Sequence, residues 1–364
     1  MYLRNAWYIA ATAREVSRTL RATHVLGEAI VLYRTENGDP VALADACPHR
    51  KLPLSMGRLK GDAVECGYHG LIFDRAGQCL RVPGVERAPQ KIRVRSYPVI
   101  EKFGHVWIWM GDETQADESA LFPVEHYGAP DWTLSGGEPI DFACNYLLVC
   151  DNLLDPSHVA WVHPTSFGFA AAEQAPLTID AGPEGVTVWR WMTGTEIAPL
   201  YKPLVPFEGP CDRLQHYEVR YPAHALIIAL IVPAGMGGVD KPIPDTAYIM
   251  NSYNFMTPVD EDHTRYYYFQ ISNVSPRDQQ ISAAMAKGVR DAFLEDKAVL
   301  EACHAGLKKA VIPPINLPVD AGPLKFRRQL DKLIAAERSG GRDAPAQSEP
   351  DIEKQGDRHP DAEQ

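Results

Sequence analysis

The sequence predicts an α+β fold, in which an N-terminal all-β domain is followed by a second domain with a curved antiparallel sheet packed on a long helix. The 364 residues are enough for two hydrophobic cores. Short apolar stretches separated by Gly and Pro turns come first, as in small antiparallel domains. Longer strand-like runs and then a helical pattern follow, which is an order typical of α+β domains.

The first domain is visible as a series of short apolar stretches within residues 25–110. They include AIVLYR, PVALAD, LIFD and HVWIWMGD, and turn residues separate them. The segment 112–130 that follows is polar and rich in turn residues, which indicates a domain boundary. We therefore assign residues 1–115 to the first domain.

The second domain is assigned to residues 116–338. Its strand-like runs are VTVWRWMTG, HALIIALIV, AYIMNSYNFMTP and TRYYYFQIS, and the pattern over residues 277–309 predicts a helix. The tail, residues 339–364, contains one Ile and no other large apolar side chain. Such a segment cannot offset its own ordering entropy, so we expect it to be disordered.

Composition and charge narrow the classes of function. The longest apolar run, ALIIALIV at 225–232, is stopped by Pro233 and is far shorter than the ~20 residues of a membrane-spanning helix. The N-terminus lacks the apolar stretch of a signal peptide, so we expect a cytoplasmic protein. The net charge of -11 argues against nucleic acid or an anionic membrane as a partner. Residues 47–100 differ, with ten Lys and Arg against four Asp and Glu. These are either solvated strand faces or a docking patch for an acidic redox partner.

Two of the seven cysteines are each paired with a histidine, as Cys47-x-His49 and Cys66-x-x-His69. In a reducing compartment such pairs indicate metal binding rather than disulfides. Zinc fingers take two cysteines from one loop and two histidines from another, whereas here each loop supplies one of each. This mixed set favours a Rieske [2Fe-2S] centre, with zinc as the alternative. The other five cysteines lack metal-type spacing and are expected to be small buried residues: Cys79, Cys144, Cys150, Cys211 and Cys303.

A second group of polar residues lies in CDNLLDPSHVAWVHPTSFG, residues 150–168. Asn152, Asp155 and His158 recur every three residues, which would stack them on one face of a helix. Pro156 fits the first helical position, with Asp155 as the N-cap and Asn152 just outside. His163 follows a short, largely apolar segment. The two imidazoles could ligate one metal, although such a pair taken alone is typical of ordinary surface or core histidines.

The predicted helix supplies a carboxylate that could complete the set. Its apolar stripe marks the core-facing side: Val289, Phe293, Leu300, Cys303 and Leu307. Asp296 falls within this stripe, where an unpartnered charge would cost on the order of several kcal/mol. Asp296 is therefore expected to be protonated, salt-bridged or bound to a metal. With two histidines it would form the facial triad of non-haem Fe(II) oxygenases. Glu295 and Asp291 lie off the stripe and are expected to be solvated.

Together these motifs resemble those of the Rieske non-haem iron oxygenases, in the group of vanillate O-demethylase and dicamba monooxygenase oxygenase components. The likeness runs from RNAWYIAA through both cluster loops, DNLLDPSHVAWVH and FLEDKAVLEA, to RRQLDKLIAAE near residue 337. It implies a Rieske β domain and a helix-grip catalytic domain, assembled head to tail as a homotrimer. It also implies that His158, His163 and Asp296 bind Fe(II) and that Asn152 lies beside the iron. Asp155 would bridge an iron-ligand histidine and a cluster-ligand histidine of the neighbouring subunit.

The reaction implied by the resemblance is O2- and NAD(P)H-dependent O-demethylation of a small methoxylated aromatic acid, with release of formaldehyde. Electrons would come from a separate ferredoxin or a flavin/iron-sulfur reductase. Ring hydroxylation, methyl hydroxylation and N-demethylation are alternatives at the same iron. A pure electron carrier and a zinc-stabilised interaction protein are alternatives from other classes, although the carrier would not need a second triad.

Phe167, Tyr217 and Asn254 are the candidates for substrate contact, and each could instead be a structural residue. Three arginines could meet a substrate carboxylate but are expected to be surface charges: Arg190, Arg213 and Arg220.

Overall fold

The computed structural model describes residues 1–168, 175–274 and 279–340, and only the backbone of residues 279–282. An N-terminal unit of short strands is followed by a large antiparallel sheet with helices on one face. This order confirms the predicted α+β fold. The predicted tail lies outside the described residues from residue 341 onwards.

The N-terminal unit is built from eleven strands in three small antiparallel sheets, ordered β1-β11-β10, β2-β3-β4-β9 and β5-β6-β7-β8. Turns of two residues join three of the strand pairs, whereas the connections at 45–57 and 82–95 are long loops. The bounds are β1 Trp7–Thr12, β2 Arg21–Val25, β3 Glu28–Arg34, β4 Pro40–Ala44, β5 Arg58–Lys60, β6 Ala63–Glu65, β7 Ile72–Phe73, β8 Cys79–Arg81, β9 Ser96–Tyr97, β10 Val99–Lys102 and β11 His105–Trp109.

The second unit is organised around an eight-stranded antiparallel sheet in the order β12-β19-β18-β17-β16-β15-β14, with β13 also paired to β19. The four predicted runs form β15, β17, β18 and β19. The strand bounds are β12 Thr133–Gly136, β13 Ile140–Phe142, β14 Thr178–Ala181, β15 Gly185–Thr195, β16 Cys211–Arg220, β17 His224–Pro233, β18 Tyr248–Pro258 and β19 Thr264–Ser272.

In the described residues, four α-helices accompany this sheet: α1 Tyr146–Leu153, α2 Val159–Val162, α3 Gln279–Lys309 and α4 Ala321–Arg338. Helix α3 matches the predicted helix. Its buried stripe, however, ends at Leu300, and the predictions for Cys303 and Leu307 were wrong because the last turns of α3 extend beyond the core and leave both exposed. Of the described helices, none combines the length and apolar character that crossing a bilayer requires.

The two faces of the large sheet have different partners, because successive residues of a strand point in opposite directions. On β18, Met250 belongs to a core shared with helices α1, α3 and α4. Its neighbours Tyr253 and Phe255 face the other way and pack against Trp7 and Trp107 of the N-terminal unit. The sheet therefore separates the helix-covered face, where a cavity forms, from the face that holds the N-terminal unit.

Candidate active site

The two Cys–His loops of the N-terminal unit have the same backbone structure. The Cys47 N–H donates to the Leu52 carbonyl at 2.9 Å, and the Cys66 N–H donates to the Leu71 carbonyl at 2.8 Å. In each loop the cysteine carbonyl also accepts a hydrogen bond from the backbone N–H of the residue four positions later. That residue has a positive φ, 61° for Lys51 and 70° for Gly70. Two equivalent turns therefore present their Cys–His pairs to each other.

The four side chains of these loops differ in exposure. Cys47 and Cys66 are buried, whereas His49 and His69 are exposed with ring centroids 4.4 Å apart. Burial raises the pKa of the Cys47 thiol, and the neighbouring Cys66 raises it further. Two buried sulfurs and two adjacent imidazoles are the donor set of a Rieske cluster, so these residues fit a [2Fe-2S] group.

The second group of polar residues is carried by α1, α2 and α3, but not as predicted. Asn152 lies in the last turn of α1, residues 156–158 form a turn, and α2 begins only at Val159. The prediction that Pro156 starts a helix capped by Asp155 was therefore wrong. The Asp155 carboxylate does accept the Ser157 N–H at 2.8 Å, as part of the turn between α1 and α2. His163 directly follows the end of α2, and α3 places Asp296 next to it.

Three side chains converge at this point. The Nε2 atoms of His158 and His163 lie 3.5 Å and 3.1 Å from the same oxygen, Asp296 Oδ1. One ligand atom from each residue lies within 4.8 Å of the others, which is close enough to share one metal ion. Asn152 Nδ2 donates to Asp296 Oδ1 at 3.1 Å and thereby places the amide beside the triad.

Hydrogen bonds on the far side of each imidazole orient the two rings. The Nδ1 of His158 bonds to the Asp155 backbone carbonyl, and the Nδ1 of His163 bonds to Glu295 Oε2 at 2.7 Å. Each ring therefore turns its Nε2 toward Asp296, as a metal-ligating histidine does when its other nitrogen is held. The expectation that Glu295 is merely solvated was wrong, because its partly exposed carboxylate reaches His163.

Burial and charge act differently on the two imidazoles. Burial lowers the pKa of His158 more than the nearby Asp296 carboxylate raises it. For His163, burial is outweighed by the carboxylates of Asp296 and Glu295, which raise its pKa. Asp296 itself is buried. Two imidazoles and one carboxylate, with few other polar neighbours, match the donor set of non-haem Fe(II), so these residues fit that metal too.

A cavity of about 590 Å³, counted with its opening, adjoins the triad. Its wall is mostly apolar, as in small-molecule sites. Phe167 and Tyr217 line it, whereas Asn254 is not among the described lining residues. Asn254 is buried and bonded to the Ser252 carbonyl at 2.9 Å and the Tyr266 hydroxyl at 2.9 Å, which indicates a structural role.

Two of the three arginines are not surface charges. Arg190 and Arg213 are buried, at 3% and 2% exposure, while Arg220 is partly exposed. Arg213 lines the cavity together with Gln215, a residue that no sequence motif marks. The residues lie on β15 and β16, and the alternation of β16 points Arg213, Gln215 and Tyr217 to the same side.

Comparison with known proteins agrees with this geometry. The Rieske [2Fe-2S] domain model matches residues 6–98, and the vanillate O-demethylase oxygenase C-terminal domain model matches residues 142–336. The chain is similar to the toluene-4-sulfonate monooxygenase system iron-sulfur subunit of Comamonas testosteroni, at 35% identity over 93% of this chain and 99% of that protein. It is also similar to a vanillate O-demethylase oxygenase subunit of Pseudomonas sp. strain HR199, at 32% identity over 93% and 96%. A crystal structure of dicamba monooxygenase bound to dicamba superposes with a TM-score of 0.83, 28% identity and coverage of 93% and 99%.

A Rieske domain followed by a sheet-and-helix domain with a two-histidine, one-carboxylate triad defines the oxygenase component of a Rieske monooxygenase system. The chain belongs to this family, in the group that contains the vanillate O-demethylase and dicamba monooxygenase oxygenase subunits. Its cofactors are accordingly a [2Fe-2S] cluster and a mononuclear non-haem iron, and it works with a separate reductase or ferredoxin.

Proposed function

We propose that this oxygenase component demethylates a small methoxylated aromatic acid, using O2 and electrons from NAD(P)H. The observation that carries the proposal is the position of the His158, His163 and Asp296 triad at the wall of a largely apolar cavity. The overall reaction consumes one O2 and one NAD(P)H with a proton. It yields a phenol, formaldehyde, water and NAD(P)+.

In this proposal His158, His163 and Asp296 hold the iron, and Cys47, His49, Cys66 and His69 hold the cluster. When bound, the cluster supplies single electrons and the iron supplies O2 activation beside the substrate. The chain's own contribution is to position these groups. The three ligand residues would hold the iron at the cavity wall, and the apolar lining would exclude bulk water from the methoxy group.

The proposal includes a homotrimer in which Asp155 bridges an iron-ligand histidine to a cluster-ligand histidine of the next subunit. Exposure in the single chain supports it: His49 and His69 are exposed, and Trp161 on α2 is 74% exposed beside the iron site. Within the chain, His158 Nδ1 contacts the Asp155 carbonyl, while the carboxylate is partly exposed. That carboxylate is therefore accessible to a partner. A cytoplasmic location forms part of the same proposal.

Hydroxylation of an aryl methyl group is a second candidate. The 35% identity to the iron-sulfur subunit of a toluene-4-sulfonate monooxygenase system favours it. The same triad and cavity would serve both reactions, since each inserts an oxygen atom into a C–H bond of a one-carbon substituent of the aromatic ring, either a methoxy or a methyl group. The two differ only in whether the hydroxylated carbon is linked to the ring through oxygen.

The two candidates can be separated with purified holoenzyme, a compatible reductase and NADH. Methoxybenzoates and methylated benzoates or benzenesulfonates are supplied, and formaldehyde and aryl products are quantified. O-demethylation gives formaldehyde and a phenol in equal amounts. If the only product is a benzyl alcohol formed from the methylated compounds, methyl hydroxylation is favoured. Intact methoxy groups on a newly hydroxylated ring would contradict both candidates.

A further inference from the structure

A row of three polar side chains on β16 forms one wall of the cavity. Arg213, Gln215 and Tyr217 alternate along the strand and so share the cavity side. The cross-strand neighbours that complete this wall are apolar: Gln215 pairs with Ala229 and Tyr217 with Ile227 on β17. A polar row in an otherwise apolar wall is the usual means by which a small-molecule site fixes the orientation of its ligand.

Gln215 is held in one orientation by Arg190. The Arg190 Nε–H donates to Gln215 Oε1 at 2.8 Å, so this oxygen faces Arg190 and the amide nitrogen faces away. Gln215 is 1% exposed, and its Nε2 has no hydrogen-bond partner among the described residues. A buried donor without an acceptor is costly, and here it belongs to a side chain that lines a cavity. A ligand acceptor would satisfy it.

Arg213 is fixed beside the same wall. Its guanidinium lies 5.0 Å from the Tyr201 ring centroid, and its Nη1 donates to the Phe167 carbonyl at 3.3 Å. The Phe167 ring in turn lies 6.1 Å from the His163 ring, so Phe167 contacts Arg213 through its carbonyl and the metal triad through its ring.

The charges of the cavity favour an anion. Arg213 is the permanent cation among the described lining residues, and Asp296 is their one carboxylate. Fe(II) at the triad would more than offset the charge of Asp296 and leave the cavity net positive. A guanidinium fork and an amide N–H are together well matched to a two- or three-oxygen anion.

We propose that Arg213 and Gln215 form an oxyanion subsite, which binds the carboxylate or sulfonate of an aromatic substrate and directs the opposite end of the ring toward the metal triad. This inference rests on the proposed function and adds to it the residues that determine specificity. A carboxylate and a sulfonate present the same chemistry to the subsite. Discrimination should come from the buried Gln215 donor, which a neutral, non-accepting ligand would leave unpaired.

The test measures binding rather than turnover. Benzoate, benzenesulfonate and toluene, which carry no methoxy group, are titrated into anaerobic holoenzyme by calorimetry or by competition with a fluorescent aromatic. Wild type should bind at least one anion about 10–100-fold more tightly than toluene, as expected for hydrogen bonds to a charged group. Gln215→Leu and Arg213→Met should each lose most of that preference. Gln215→Glu, which keeps the shape but adds a negative charge, should lose it most completely.

Arg220→Met is the matched control, because Arg220 ends the same strand on its opposite face and donates to Glu218. It should keep the preference for the anion. If Arg213→Met does not fold, the two Gln215 variants decide the question. Equal binding of anions and toluene by wild type, or an unchanged preference in both Gln215 variants, would overturn the subsite. The relative affinities for benzoate and benzenesulfonate show which anion the subsite favours. Because none of these ligands can be demethylated, a failed demethylation assay with intact anion binding would refute the proposed function alone.

Discussion

Glu295 and His163 are joined by a 2.7 Å hydrogen bond between the Glu295 Oε2 carboxylate oxygen and the imidazole Nδ1. The bond turns the other ring nitrogen toward Asp296, where the metal would lie. Glu295→Ala should therefore weaken mononuclear iron binding about 10–100-fold, the usual effect of removing such an orienting partner. Glu295→Gln should be milder, because its amide oxygen can still accept. Chelator competition measures iron affinity, and the visible spectrum monitors the cluster.

Asp291→Ala is the control for this prediction. Asp291 lies about one turn earlier on α3, is exposed and pairs with Lys287 at the surface. Its removal should leave iron affinity unchanged. Equal affinities for wild type and Glu295→Ala would mean that the hydrogen bond does not orient the ligand.

Asp296 is the carboxylate on which both Nε2 atoms converge. Asp296→Ala should lose the mononuclear iron and all oxygenation, since two neutral imidazoles alone hold Fe(II) weakly. The cluster should remain, because its loops lie in the other unit. Total iron, acid-labile sulfide and the visible spectrum together distinguish the two centres. A variant that retains its full iron content would refute the assignment of Asp296 as a ligand.

The candidate metal-site residues could be picked out in the sequence because ligand chemistry restricts both residue type and spacing. The pairs Cys47-x-His49 and Cys66-x-x-His69 have such spacing, and Asp296 is a carboxylate within an apolar stripe. Glu295 was missed because its role depends on the rotation of α3 relative to His163, which periodicity does not specify. Its position next to the predicted ligand Asp296 was the one sequence signal that could have indicated a role at the metal site.

The polar wall of the cavity was not predictable in the same way. Strand β16 carries charged or amide groups at five of its ten positions, so its sequence, CDRLQHYEVR, does not show the alternation of a buried strand. Arg213 is buried at the cavity wall and Arg190 behind it, bonded to Gln215, whereas a sequence pattern assigns charged residues to the surface by default. Such local exceptions are expected where a site replaces core packing.

A substitution at Asp155 tests the proposed electron transfer between subunits. Asp155→Asn keeps an Oδ1 that can accept the Ser157 N–H, and the His158 contact uses the backbone carbonyl, so the local turn should persist. Both metal centres should stay occupied, yet turnover should fall by about 100-fold or more, by analogy with other losses of a positioning carboxylate. The rate of cluster oxidation after mixing reduced enzyme with substrate and O2 measures the affected step. Normal turnover in Asp155→Asn would rule out the bridge.

His224 should make folding stability sensitive to acid. Its ring is buried against Trp107, Phe122 and Phe255 between the sheet and the N-terminal unit, and burial lowers its pKa to about 3. Above about pH 6.5 the ring is neutral in both states. Below that pH the unfolded chain takes up a proton that the folded chain refuses. Stability should fall by up to about 1.4 kcal/mol per pH unit until pH approaches the folded pKa.

His224→Gln removes this titration and keeps a polar side chain. Urea midpoints of wild type and variant, measured at several values between pH 7 and pH 4, should converge as the pH falls. His24→Gln is the control, because His24 is exposed on β2. Parallel pH profiles for wild type and His224→Gln would show that His224 does not contribute to acid sensitivity.

Gly67 allows the second cluster loop to pass close to the backbone of Met56. A Cβ at this position would lie 2.8 Å from the Met56 carbonyl oxygen, a backbone atom that cannot move aside without shifting its chain. Gly67→Ala should therefore reduce cluster content or accelerate cluster loss, while mononuclear iron in the second unit stays bound. Gly182→Ala, where no atom lies within 4 Å of the added Cβ, should behave as wild type. Visible absorption follows the cluster, and chelator-accessible iron reports the other site. Loss of both metals in Gly67→Ala would show that the two centres are not assembled independently. Loss of the cluster alone would be the opposite of the expected result for Asp296→Ala, which loses the iron alone. The two variants together would then establish that each unit holds its own metal.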